Sequence, residues 1–117
     1  MYIYIMYSKE LLKGTLKTII LKLLAENGRM YGYEITRKVK LLTDDKIQLT
    51  EGALYPTLHK LEKEGLLITQ TEYIGKRIRK YYAVTKLGDE KAVSMATEFA
   101  EFVKTMLLLL NPQLSKS

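Results

Sequence analysis

Thr50-Glu51-Gly52-Ala53-Leu54-Tyr55-Pro56-Thr57-Leu58-His59-Lys60-Leu61-Glu62-Lys63-Glu64-Gly65 runs directly into Leu66-Leu67-Ile68-Thr69-Gln70-Thr71-Glu72-Tyr73-Ile74-Gly75-Lys76-Arg77-Ile78-Arg79-Lys80-Tyr81-Tyr82-Ala83-Val84, and the apolar period changes at Gly65. Before it, Leu54, Leu58 and Leu61 recur at helical spacing, with Thr50 a good N-cap type and Gly65 a good residue just past a helix end. This predicts a helix over 51–64. Pro56 cannot donate to the Gly52 carbonyl and crowds it, so the regular helix is expected to start late or to have a distorted first turn. After Gly65, β-branched and apolar residues dominate. Ile78, Lys80, Tyr82 and Val84 alternate with Arg77, Arg79, Tyr81 and Ala83, and Gly75-Lys76 can turn the chain, which predicts a β-hairpin over 66–84.

Upstream, Leu12, Leu16, Ile19 and Leu23 form a stripe that Ile20 and Leu24 widen, predicting a helix over 8–27 with Ser8 as N-cap and Asn27-Gly28 as stop. A second helix is expected over 32–42, with Ile35, Val39 and Leu42 on one side, and Thr43-Asp44-Asp45-Lys46 reads as a polar turn. Downstream, a helix over 86–110 with Thr85 as N-cap carries two apolar stripes. One runs through Val93, Ala96, Ala100, Val103, Leu107 and Leu110, the other through Met95, Phe99, Phe102, Met106 and Leu109. A domain this small covers one such stripe, so the other predicts a partner helix, most simply the same helix of a second subunit. Asn111-Pro112 should end the helix and 111–117 form a tail. The expected fold is mostly α with a small β-hairpin, a winged helix-turn-helix over 1–84 followed by a long C-terminal dimerisation helix over 85–110.

The whole chain has 117 residues, about one domain's worth. No apolar stretch approaches the roughly 20 residues of a membrane span, and the apolar start lacks a basic n-region and cleavage site. Absence of cysteine removes disulfides and thiolate metal sites. A cytoplasmic protein without cofactor or metal is expected. There is no Gly-rich phosphate loop, nucleophile signature or histidine pair, so nothing points to catalysis. The net charge is +6, and Gly75 to Val84 alone carries +4, a concentration that suits a polyanion.

On the winged-helix plan the third helix enters the major groove and the hairpin reaches a neighbouring backbone or minor groove. Lys76, Arg77, Arg79 and Lys80 are then candidates for phosphates, with the alternative that they solvate an edge hairpin and prevent aggregation. Tyr55, with Thr50 and Gly52 near the helix N-terminus, is a candidate for a phosphate or base edge; the alternative is a packing tyrosine over Pro56 or the hairpin base. His59 and Lys63 share its side, and Lys38 adds a cation from the second helix. A protein-interaction or ligand-binding module on the same scaffold is the second functional expectation, and a single-strand binder using the tyrosines is a third.

Leu11-Leu12-Lys13-Gly14-Thr15-Leu16, Tyr31-Gly32-Tyr33-Glu34-Ile35, Gly52-Ala53-Leu54-Tyr55-Pro56-Thr57-Leu58, Leu61-Glu62-Lys63-Glu64-Gly65-Leu66-Leu67 and Lys80-Tyr81-Tyr82-Ala83-Val84-Thr85-Lys86-Leu87-Gly88 together resemble the PadR family of transcriptional regulators, in order over about residues 9–90. The resemblance implies a homodimeric repressor that binds a duplex DNA operator of two-fold symmetry and is released by a small, often aromatic, effector. It implies that Tyr55 and the residues before it face DNA, that Lys76 to Lys80 form the wing, and that the single last helix is the dimerisation element, as in the shorter subfamily. Ala53 stands where the family often has a hydroxyl residue, and the leader Tyr2 to Tyr7 lies outside the shared pattern. Met95, Phe99, Phe102 and Met106 read either as dimer core or as the lining of an effector channel between subunits.

Overall fold

The computed structural model of the chain describes residues 7–111 and 113. The expectations for the leader before Tyr7 and for most of the tail lie outside the described residues.

Helix α1 spans Lys9–Lys13 and α2 spans Leu16–Asn27. The single helix expected over 8–27 is therefore two. The break has a local cause: the backbone N–H and the Oγ1 of Thr15 both donate to the Leu12 carbonyl, each at 3.0 Å. That closes a tight turn of three-residue span instead of continuing the four-residue ladder. Ser8 caps α1 by accepting the Leu11 N–H at 3.2 Å, and α2 buries Leu16, Ile20, Leu21, Leu23 and Leu24. Gly28 then leaves the helix at φ +78°, a conformation that favours glycine.

A two-residue strand follows, β1 at Met30–Tyr31, and leads without a loop into α3 at Gly32–Leu42. The Glu34 carboxylate accepts the Tyr31 N–H at 3.2 Å and so ties down an amide at the helix start. Ile35 and Val39 are buried, but Leu42 is 65% exposed, which corrects its assignment to the core side. The chain turns away at that point, with Asp44 and Asp45 both left-handed at φ 54° and 64°. Helix α4, Glu51–Lys63, begins under a cap in which Thr50 Oγ1 accepts the Ala53 N–H at 3.2 Å. It is regular from Glu51 across Pro56, against the expectation of a late or distorted start. The carbonyl deprived of its donor belongs to Gly52, an exposed first-turn residue open to water.

Strands β2, Leu67–Ile74, and β3, Arg77–Val84, pair antiparallel from Leu67 opposite Val84 to Ile74 opposite Arg77. The turn between them has two residues, with Gly75 at φ +63°, the geometry in which glycine occupies the first central position. β1 pairs with the other edge of β3, Met30 opposite Tyr82 and Tyr31 opposite Tyr81, so the sheet has three strands in the order β1-β3-β2. Tyr82, 1% exposed, joins Leu54, Leu58 and Leu61 of α4 and the buried face of α2 in one core.

The last helix, α5, spans Lys86–Leu110. Thr85 anchors it twice: its Oγ1 donates to the Gly65 carbonyl at 2.8 Å and accepts the Gly88 N–H at 2.9 Å. The first half lies along α2, with Ala92 buried and Met95 against the core. Farther along, Phe102 is 59% and Leu109 74% exposed, so the chain's own core leaves this half open. At the helix start, a Cβ on Gly88 would meet the Leu66 carbonyl group, with the carbonyl carbon 2.9 Å away. Since the Leu66 atoms are backbone and the added Cβ is fixed rigidly to the helix, Gly88→Ala is expected to lower stability by about 1–3 kcal/mol and the melting temperature by roughly 5–15 °C. An unchanged thermal transition would contradict the close approach.

Candidate nucleic-acid interface

Two elements of different origin converge on one side of the molecule. Helix α4 presents Tyr55 and His59 on the face away from Leu54, Leu58 and Leu61. The hairpin presents Arg77, Arg79 and Lys80. Their relative placement is fixed by the shared core and by a hydrogen bond from Thr69 Oγ1 on β2 to Glu62 Oε2 on α4 at 3.1 Å. Between them lies an open cleft of about 570 Å³ lined by Tyr31, Gly32, Tyr33, Tyr55, His59, Ile74, Arg77, Ile78, Arg79, Lys80 and Tyr82. Positive charge, hydrogen-bonding phenols and ring faces thus border the same space, a combination suited to phosphates and bases.

The cations around the cleft are organised by tyrosines. Arg79 lies over the Tyr31 ring, 4.2 Å from its centroid, and Arg29 over the Tyr81 ring at 4.3 Å. The two rings meet edge to face with centroids 5.5 Å apart. Tyr33 stacks beside Tyr31 at 6.5 Å, with Arg37 5.9 Å above it. Lys80 Nζ lies 5.5 Å from the Tyr82 ring. Arg29 is also held by the Glu72 carboxylate and donates to Gln70 Oε1 at 3.0 Å. Hydrogen bonding with the Tyr81 side chain raises the Arg79 guanidinium above its already high ordinary value; desolvation opposes the rise, and the charges of Tyr31, Tyr81 and Glu34 add to it.

Of the candidates named from the sequence, Tyr55, His59, Arg77, Arg79 and Lys80 meet at this cleft. Thr50 and Gly52 are exposed at the start of α4, and the Thr50 oxygen is engaged as the helix cap. Lys63, at the last position of α4, and Lys76, at the hairpin turn, are exposed outside the cleft lining. Lys38 lines a separate cleft with Arg29, Arg37 and Glu34. Tyr55 is 37% exposed, and its ring rests directly on Gly32, so it both packs and borders the cleft. Sequence reasoning missed Tyr31, Tyr33 and Arg29. The alternation Tyr31-Gly32-Tyr33 was visible, but a two-residue strand carries too little periodicity to reveal which sheet edge it joins. On α5, Met95, Phe99 and Met106 are half-buried and Phe102 is exposed; none of the four lines either of these clefts.

Among the described residues, no cluster of His, Asp or Glu could hold a metal ion and no helix is long and apolar enough to cross a membrane. The helices, the protruding basic hairpin and the long final helix define a winged-helix protein with a C-terminal extension. Residues 20–93 match the transcriptional regulator PadR-like family. An uncharacterized protein of Lysinibacillus sphaericus is 34% identical over 99 residues, covering 82% of this chain and 88% of its own. A transcriptional regulator from Clostridium thermocellum superposes with a TM-score of 0.79 at 30% identity, covering 88% of this chain and 99% of the other. Bacillus subtilis PadR, solved in complex with operator DNA, superposes with a TM-score of 0.63 at 30% identity, over 69% of this chain and 46% of that one. The chain belongs to the PadR-like family, which comprises transcriptional regulators and not enzymes.

Burial pushes the Tyr82 hydroxyl up from its ordinary value of 10.0, with Glu62 and then Tyr55 acting in the same direction. The unfolded chain ionises this phenol first. Its contribution to stability is therefore complete below about pH 10 and is lost as the pH rises through the higher folded value. In Tyr82→Phe this part of the alkaline decline in urea midpoint is expected to disappear; parallel declines in both proteins would contradict the assignment.

Proposed function

We propose that the protein is a dimeric, sequence-specific DNA-binding repressor whose bound dimer is released by a small aromatic or apolar effector. The observation that carries this reading is the convergence of Tyr55 and His59 from α4 with Arg77, Arg79 and Lys80 from the hairpin on one cleft. A helix fits the major groove of a duplex, and side chains near its N-terminus reach base edges. In this reading Thr50, Gly52, Tyr55 and His59 enter the groove, while Lys76, Arg77 and Lys80 engage a neighbouring phosphate backbone. Lys38 and Lys63 supply flanking phosphate contacts. The PadR-like membership of the chain and its similarity to a relative solved on operator DNA support duplex DNA over a single strand.

Dimerisation falls to α5. Val93, Phe102, Val103, Leu107 and Leu110 are exposed apolar residues on a helix whose other side meets α2, and Ala96, Phe99, Ala100 and Met106 complete the surface. Covering it with the same helix of a second copy removes that apolar area from water and creates a two-fold axis, which dictates an operator of the same symmetry. Met95, Phe99, Phe102 and Met106 would then border the subunit junction, where an apolar effector could alter the spacing of the two reading helices.

The test is fluorescence anisotropy on a duplex that the wild-type protein enriches from a random-sequence library, with a scrambled duplex as reference, over a salt series. Preference by about a thousandfold at physiological salt is expected for a specific regulator. Failure to enrich any duplex would overturn the reading. Arg77→Ala with Lys80→Ala should weaken binding to both duplexes alike and reduce the salt slope by roughly 1–2 units, because fewer counterions are released; an unchanged slope would remove the hairpin from the interface. Separately, Phe102→Glu with Leu107→Glu should convert a sedimenting dimer to monomer at micromolar concentration and weaken operator binding, whereas a wild-type monomer under those conditions would contradict the role of α5.

A further inference from the structure

The junction of β1 and α3 touches both elements that border the cleft, yet it contributes neither of them. Gly32, the first residue of α3, is buried beneath the Tyr55 ring. A Cβ built on it would collide with the Tyr55 hydroxyl and stand 2.8 Å from the ring carbon bearing it, closer than real Cβ contacts. Only a residue without a side chain leaves this seat open. One residue earlier, the Tyr31 ring carries the Arg79 guanidinium at 4.2 Å from its centroid and is itself braced by Tyr81 and Tyr33. The backbone there is fixed by pairing with β3 and by the Glu34 carboxylate on the Tyr31 N–H.

We propose that Tyr31-Gly32 is a positioning bracket, in which Gly32 seats the Tyr55 phenol of α4 and Tyr31 seats the Arg79 guanidinium of the hairpin, so that both meet DNA in a fixed relation. This rests on the DNA-binding reading given above and assigns two specificity-setting residues to the same surface. Two consequences separate the bracket from simple contact. Arg79, held in one direction on a ring face, contributes to duplex preference more than to phosphate neutralisation, unlike Arg77 at the exposed turn. Gly32 acts only through Tyr55. It has no left-handed backbone that would require glycine, and alanine suits a helix better than glycine does.

The seating is read first without DNA, by NMR of protein carrying 13C-labelled tyrosine. Gly32→Ala should move the Tyr55 ring resonances, and Arg79→Ala those of Tyr31; rings that stay in place overturn the bracket whatever the protein binds. Binding to the enriched and scrambled duplexes is read next. Gly32→Ala should weaken the enriched duplex about tenfold or more, comparable to one mismatched base pair, and leave the scrambled duplex and the salt slope unchanged. In a Tyr55→Ala background the same substitution should have no further effect, and losses that multiply would overturn action through Tyr55. Tyr31→Phe, which keeps the ring, should bind as wild type, whereas Tyr31→Leu should match Arg79→Ala; equal behaviour of Phe and Leu would overturn the ring contact. Arg79→Ala should lower specificity with little change in slope, and a slope reduced as much as in Arg77→Ala would make Arg79 a phosphate contact instead. A wild-type protein with no duplex preference would remove the functional reading and with it the bracket's role in specificity. Ring shifts that still respond would mark that failure as distinct from failure of the seating.

Discussion

Burial of Tyr82 in the middle strand is the constraint on which the rest of the structure depends. Its backbone lies opposite Met30 on one side and Thr69 on the other, while its side chain joins the leucines of α4 and α2. A large side chain cannot shift in a close-packed core without moving its neighbours. Strand β3 is thereby fixed against α4, and the hairpin beyond it, although exposed, inherits a defined direction. The cleft follows from that arrangement: α4 and the hairpin border it, Tyr82 of β3 is among its lining residues, and the β1–α3 junction lines it at Tyr31 to Tyr33.

A cluster of four cations on ten residues repels itself, and the fold deals with this by distributing the charge rather than neutralising it. Arg79 and Lys80 lie near ring faces, and Arg29, brought in from the start of β1, takes the Glu72 carboxylate and a ring of its own. Lys76 and Arg77 remain exposed at the turn. A different constraint governs α5. Thr85 and Gly88 hold the start of α5 against Gly65 and Leu66, between α4 and β2, α2 lies along its first half, and the remaining turns extend as an apolar helix that the chain's own core leaves open. Positive charge is thus concentrated on the hairpin, and open apolar surface on the far half of α5.

Much of this was legible in the residues. The leucine stripe at 54, 58 and 61, the glycine at 65 and the alternation after it give the third helix and the hairpin, because each is long enough for its period to show. The two stripes on α5 likewise announced a surface exceeding the needs of one chain. What escaped the sequence was short or tertiary. The break at Thr15 depends on a single hydroxyl competing for the Leu12 carbonyl, and β1 has two residues, fewer than any alternation needs. Leu42 matched a helical stripe, but the left-handed pair Asp44-Asp45 carries the chain away at that point. At the cleft, residue type identified Tyr55, His59 and the hairpin cations. Type alone does not reveal that Arg79 rests on Tyr31, or that Tyr55 needs a glycine beneath it, since those partners lie 48 and 23 positions away.

The central claim is that the cleft between α4 and the hairpin is the surface that reads duplex DNA. Mapping amide chemical shifts of 15N-labelled protein during titration with an enriched duplex addresses it directly. The account predicts changes concentrated between residues 50 and 59 and between 74 and 80, with the far half of α5 unaffected. Changes centred on α5, or a scattered response identical for enriched and scrambled duplexes, would contradict it.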